Sequence, residues 1–277
     1  MKILNTCPKI QFYFQDQEFH LELWRQYAAE ISPSLSRKCE EDIRGYCFET
    51  DVLPVVRRAL SQFDQIRQIS DVFDLIMHEF TSRLPCLFEE DPQISIILYL
   101  GLCNGAGWAT VLDGQNSVLL GIEKIIELNW CGVDEMRGLI FHEIGHLWHK
   151  TVGNMTPAGS GPRWKAILQL YQEGIAMVCE QILLADNQAY HQNKGDWLSW
   201  CICHEDSLKQ EYLARLEKGD STQDFFGDWN QYQGHSDVGY YLGCQFVKYL
   251  QRKFSFQELA NLPYSTLDSE FISFARS

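Results

Sequence analysis

Two histidines in residues 139–148 have the spacing of metal ligands. His142 and His146 form the pattern H-E-x-x-H, with Glu143 directly after the first histidine. Residues i and i+4 lie on one face of a helix, so both imidazoles can bind a single Zn²⁺ while Glu143 acts on water as a general base. An exposed helix with two unrelated histidines would have polar neighbours, but here the neighbours are apolar. The pattern therefore predicts one zinc ion per chain.

A catalytic zinc usually has three protein ligands and an open position. Glu173 is the best candidate for the third ligand, because it lies among apolar residues of a predicted helix, where an unpaired carboxylate would be costly. Glu180 lies two turns later on the same face. It could accept a hydrogen bond from a ligand imidazole or form an ordinary salt bridge, and the sequence leaves both open. His149 is expected to flank the site rather than to bind the metal.

These segments resemble the gluzincin metallopeptidases, which combine H-E-x-x-H with a glutamate from a following helix, and they are nearest to the zinc aminopeptidase branch. The resemblance covers roughly residues 101–250. It implies a zincin-like fold, with His142, His146 and Glu173 as the zinc ligands and Glu143 as the general base.

A third segment, residues 240–250, is similar to the gluzincin helix that begins with Tyr-x-x-Gly. In that family the tyrosine donates a hydrogen bond to the oxyanion, and the resemblance assigns this role to Tyr240. Tyr241 and His235 are the alternative donors. Tyr240 could also be a packing residue, since its helix has apolar residues at helical spacing.

One strand departs from the aminopeptidase pattern. That branch has Gly-x-Met-Glu-Asn before the zinc helix, and its glutamate binds the free amine of the substrate. The comparable residues 105–109 contain no acid, which disfavours aminopeptidase activity. Gly107, Trp108 and Ala109 could still hold an extended peptide by backbone pairing.

The sequence therefore predicts a zinc-dependent peptidase that acts on a peptide or protein substrate. Two alternatives stay open. The chain could be a binding or regulatory protein that keeps the zincin fold without catalysis, or it could hydrolyse a non-peptide amide or ester.

The elements that position these residues predict an α+β fold. Residues 1–90 form a helical N-terminal region of unassigned role, and residues 91–277 form the zincin-like metallopeptidase domain. Helices are expected over residues 18–29 and 52–80, the second region being one helix or two, with a bend near Ser70 and Asp71. A small mixed sheet with an edge strand follows, with strands over residues 94–100, 108–112 and 118–122 and a hairpin turn at Asp113-Gly114. The C-terminal half is helical from about Asp134, with a loop over residues 151–162.

Composition excludes several classes of protein. The 277 residues are 45% hydrophobic, enough for a substantial core, and the net charge is −14. So acidic a chain is not expected to bind nucleic acid or an anionic membrane surface. No apolar run is long enough to span a bilayer and no secretory signal is visible. The ten cysteines are expected to be reduced, and the protein to be cytoplasmic.

Overall fold

The computed structural model describes residues 1–153, 159–227 and 229–277. It confirms the α+β fold, a small mixed sheet among many helices. The chain forms two compact units, Met1–Glu143 and Ile144–Ser277. Among the described residues, no helix is both long enough and apolar enough to cross a membrane. All ten cysteines are free thiols.

The first unit is built around a four-stranded sheet with the order β1-β2-β4-β3. Its strands are β1 (Lys2–Asn5), β2 (Ile94–Tyr99), β3 (Gly107–Leu112) and β4 (Gln115–Gly121). β1, β2 and β4 are parallel, and β3 pairs antiparallel with β4 at one edge. Asp113 and Gly114 both have positive φ, as a two-residue hairpin turn requires. The three predicted strands and their turn are confirmed.

The strand β1 lies in the region that was predicted to be helical. Its register with β2 pairs Ile3 with Ile96, so residues 1–90 supply an edge strand of the same sheet. A strand of four residues is too short to show a clear alternation of apolar and polar residues. The domain division after residue 90 stays a prediction.

The first unit also contains several helices. They are α1 (Cys7–Tyr13), α2 (Leu21–Ile31), α3 (Leu35–Asp42), α4 (Leu53–Leu60), α5 (Phe63–Phe80), α6 (Ile122–Glu127) and the first part of α7 (Val133–Val152). α2 confirms the first predicted helix. Residues 52–80 form two helices, as one of the two interpretations had it, but the bend expected near Ser70 is wrong, because the break falls between α4 and α5, at Ser61 and Gln62. Ser70 lies inside the continuous α5, where its hydroxyl accepts a hydrogen bond from Asn5 Nδ2 at 2.8 Å.

A buried acid holds the segment that leads into β3. Glu123, on α6, is fully buried and accepts hydrogen bonds from the backbone N–H groups of Gly101 (2.7 Å) and Cys103 (3.0 Å). Burial raises the pKa of this carboxyl to about 7, against an ordinary value of 4.5. The carboxyl thus fixes the connection between β2 and β3.

Glu123 should make stability depend on pH. Because its pKa is raised in the folded state, folding binds a proton between the two pKa values, so its stabilising contribution is full below pH 4.5 and is lost as pH rises toward 7. We expect the difference in free energy of unfolding between wild type and Glu123→Gln to fall over this window, measured by urea unfolding. The exposed Glu18→Gln is the control. A pH-independent difference for Glu123→Gln would contradict the assignment.

The second unit is helical in its described residues. It contains the rest of α7, then α8 (Pro162–Leu184), α9 (Trp197–Cys203), α10 (Glu205–Lys218), α11 (Val238–Leu250), α12 (Phe256–Leu259) and α13 (Tyr264–Ala275). Pro162 occupies the first turn of α8, where a missing backbone N–H costs no helical hydrogen bond. α7 continues to Val152, so the expected loop starts later than residue 151, and its residues 154–158 lie outside the described residues.

Glycines bring α8 into close contact with its neighbours. A Cβ on Gly145 of α7 would lie 2.8 Å from Ala176 Cα and 2.7 Å from Cys179 Cβ, both on α8. On another side of α8, a Cβ on Gly174 would overlap the carbonyl group of Gly243 on α11. Both helix pairs therefore pack with backbones nearly in contact, which larger residues at these positions would prevent.

We expect Gly243→Ala to lower the free energy of unfolding by about 1–3 kcal/mol. The added methyl group would overlap Leu170 O and lie 3.0 Å from Gly174 N. Urea unfolding measures this loss. Gly45→Ala is the matched control, since a Cβ there meets nothing within 4 Å. A Gly243→Ala protein as stable as the control would show that the helices can separate without cost.

Candidate metal centre

α7 carries the H-E-x-x-H pattern on a buried stretch of helix. His142 and Glu143 are buried, and so are the apolar neighbours Ile140, Phe141, Ile144, Leu147 and Trp148. The expectation of a helix with apolar surroundings is therefore confirmed. The division between the two units falls inside this continuous helix, directly after Glu143.

Glu173 lies beside the second histidine. Its Oε2 is 3.2 Å from His146 Nε2, with 17% and 23% of the two side chains exposed. Two ligands of a tetrahedral zinc with bonds near 2.1 Å are about 3.4 Å apart, so this spacing suits a shared ion. The contact is possible because Gly145 allows α8 to approach α7.

The predicted ligands form one group. Ligand atoms of His142, His146 and Glu173 all lie within 4.8 Å of one another. Two imidazoles and one carboxylate are a donor set that suits a divalent ion such as zinc. The side chains present therefore fit a bound metal ion.

A second, fully buried group contains His142, Glu180 and His191, whose ligand atoms also lie within 4.8 Å of one another. The Glu180 carboxylate is engaged through both oxygens. Oε1 accepts a hydrogen bond from the backbone N–H of His191 at 3.0 Å, and Oε2 lies 2.7 Å from Nδ1 of the same residue. The predicted role of Glu180 toward a ligand imidazole stays a prediction, while its contact with His191 was not foreseen.

Sequence reasoning missed His191. This residue lies in the turn region that follows α8, where no helical or strand periodicity distinguishes one polar side chain from another. A single histidine has no spacing partner, so its type alone carries little information. His191 is held in position by its two contacts with Glu180, which lies on the preceding helix α8.

Glu143 contacts the edge strand β3. Its Oε2 accepts a hydrogen bond from the backbone N–H of Ala109 at 2.7 Å. A Cβ on Gly107 would lie 2.6 Å from both Cγ and Oε1 of Glu143. Trp108, between them, has the Lys38 ammonium 5.2 Å from its ring centroid. The structure thus brings Gly107 and Ala109 of the predicted substrate strand to the predicted general base.

The three candidate oxyanion donors have different surroundings. Tyr240 is half-buried, and its ring centroid is 6.4 Å from that of His191. Tyr241 is buried and donates a hydrogen bond to Glu205 Oε2 at 2.7 Å. His235 stacks on Trp200, with ring centroids 4.1 Å apart. The ring contact of Tyr240 is thus with a member of the second metal-compatible group described above, and the oxyanion role of all three residues stays a prediction.

The predicted flanking residue His149 is buried against Tyr171, with an edge-to-face ring distance of 5.5 Å. Burial, with a smaller effect from His146, lowers the pKa of His149 to about 4. It is therefore a neutral interior side chain near neutral pH.

Comparisons with protein-family models, curated proteins and solved structures find no match for this chain.

The two metal-compatible groups can be distinguished by metal affinity. If the ion is bound by His142, His146 and Glu173, we expect Glu173→Ala to weaken zinc binding by more than about 100-fold, beyond the 10–100-fold cost of losing an outer-shell partner. His191→Asn should stay within that smaller range. The measurements are metal content by mass spectrometry and competition with a chelator.

The exposed Glu217→Ala, on α10, is the matched control and should bind zinc as the wild type does. Loss of binding in His191→Asn, with full binding in Glu173→Ala, would assign the ion to the second group instead.

Proposed function

We propose that this protein is a zinc-dependent peptidase of the gluzincin type, with one Zn²⁺ per chain. The observation that carries the proposal is the buried Glu143 next to the group of His142, His146 and Glu173. Metal binding alone does not need a fourth ionisable group in the same helical turn. A general base adjacent to the ligands is what hydrolysis requires.

Each residue has a defined part in this mechanism. His142, His146 and Glu173 would hold the ion, which when bound supplies a Lewis acid that activates water and polarises the scissile carbonyl. Glu143 takes a proton from the attacking water and passes it to the leaving amine. Tyr240 donates a hydrogen bond to the oxyanion, with Tyr241 and His235 as alternative donors.

The proposed substrate is a peptide or protein in an extended conformation, bound along β3. Leu112 and Gln115 flank the two-residue turn and form a hydrogen-bonded pair, so the backbone groups of Gly107, Ala109 and Val111 point away from β4. This outer edge could pair with a peptide. Because Glu143 already accepts the Ala109 N–H, the pairing would use Val111 and the carbonyl groups instead.

Two other functions stay open. A binding or regulatory protein with the same fold is favoured by the missing acid in residues 105–109. A zinc hydrolase of a non-peptide amide or ester would use the same ligands and base. Activity on a peptide library, compared with small esters, separates these functions.

The proposed partners and location follow from composition. A net charge of −14 argues against nucleic acid and anionic membranes as partners. Ten free thiols fit the reducing cytoplasm, which is the location that we propose.

Glu143→Gln tests the mechanism. The amide cannot take up the proton, so we expect hydrolysis of a peptide library to fall by at least about 100-fold while zinc content stays near one per chain. The control is Glu217→Gln, an exposed substitution of the same chemistry. If Glu143→Gln retains full activity, the proposed general base is wrong. If the wild type binds zinc but hydrolyses neither peptides nor esters, the binding-protein alternative is favoured.

A further inference from the structure

The edge strand β3 contacts the side chain of Glu143 through Gly107 and Ala109, two residues whose backbone N–H and C=O groups point away from β4. Ala109 donates its backbone N–H to Oε2 at 2.7 Å. Gly107 lies against Cγ and Oε1. All three residues belong to the first unit, and Glu143 is buried.

The glycine at position 107 has a specific explanation. Gly107 pairs with Leu120 in a regular antiparallel ladder, and its backbone does not have the positive φ that favours glycine, in contrast to Gly105 with φ +121°. Glycine inside a strand usually weakens it, because it adds backbone entropy and no packing. What position 107 lacks is room, since a Cβ would lie 2.6 Å from two atoms of Glu143.

We propose that β3 forms a seat for the Glu143 carboxylate, by which we mean a site that holds it in one orientation. The Ala109 N–H donates a hydrogen bond to the carboxylate, and Gly107, which has no Cβ, leaves space for it. The seat makes Gly107 and Ala109 positioning residues for the proposed peptidase reaction, and the inference rests on that proposed function. The Ala109 N–H fixes Oε2. With Oε2 held in this way, Glu143 takes a proton as an O–H bond of water breaks and the water oxygen bonds to the carbonyl carbon, and it gives that proton to the amine nitrogen as the C–N bond breaks.

The seat also gives a role to a segment that lacks the glutamate of the aminopeptidase pattern. Residues 105–109 contain only glycine, alanine and tryptophan, so they offer no charged group to a substrate amine. Their backbone acts on the general base instead. The strand thereby controls the orientation of the carboxylate rather than the recognition of a chain terminus.

The first test needs no substrate. In wild type, the Ala109 amide should be protected from hydrogen exchange by Glu143. We expect its exchange, followed by NMR, to become at least about 10-fold faster in Glu143→Ala, while that of Thr110, paired with Ser117 in the ladder, is unchanged. An Ala109 amide that exchanges at the same rate in both proteins would overturn the seat, whatever the activity.

The second test is kinetic. Gly107→Ala pushes the carboxylate away, and a displacement of about 1 Å can lower turnover about 100-fold. We expect kcat to fall by this order with KM and zinc content nearly unchanged, and Gly45→Ala to match the wild type, since its Cβ meets nothing within 4 Å. Ala109→Pro, which removes the N–H at an edge position where proline is tolerated, should also lower kcat.

The outcomes separate the two proposals. If Glu143→Gln is inactive but both Gly107→Ala and Ala109→Pro turn over as fast as wild type, the seat is wrong and the general base stands. If Glu143→Gln is fully active, the proposed function fails first. A Gly107→Ala protein that does not fold leaves the exchange measurement and Ala109→Pro to decide.

Discussion

The close approach of α8 to α7 is the constraint on which the candidate metal centre depends. Gly145 stands within the H-E-x-x-H pattern and has no side chain to hold Ala176 of α8 away. With α7 and α8 this close, the side chain of Glu173 on α8 is long enough to bring its carboxylate to His146 on α7. A methyl group at Gly145 would separate the helices, and the ligand set would lose its third member before any change in the ligands themselves. The packing of α7 against α8 and the geometry of the candidate metal centre therefore depend on the same glycine.

The protein buries acids by giving them backbone donors. Glu123 and Glu180 are fully buried and Glu143 nearly so, and each would be costly without hydrogen bonds. Each accepts at least one backbone N–H, from Gly101 and Cys103, from His191 and from Ala109 respectively. A hydrogen bond to a backbone N–H also restrains the strand or turn that contains this N–H group. Each of these three carboxylates therefore also fixes a segment of chain, which links the buried acids to the positions of nearby loops and strands.

Local patterns in the sequence were sufficient for the helix that bears His142 and His146, for the hairpin at Asp113 and for three strands, because periodicity and turn chemistry are short-range signals. They were insufficient wherever a long-range contact decides the structure. β1 forms because β2 lies beside it, and His191 gains its place from Glu180. The contact of Glu143 with β3 belongs to the same class, since a backbone donor is identical at every residue and leaves no mark in the sequence.

The proposed metal binding and the proposed proton transfer depend on different elements, which bears on the choice between an enzyme and a binding protein. The ligand group draws on α7 and α8, whereas the Glu143 carboxylate is fixed by β3. In a protein that only bound zinc, the space left by Gly107 would serve only to pack Glu143 against β3, and a β-branched residue at position 107 would make the strand itself more stable. Glycine at this position is therefore unfavourable for the strand and favourable for the carboxylate. This balance favours the proposed hydrolase, in which the orientation of Glu143 affects the reaction, over a protein that only binds a metal ion.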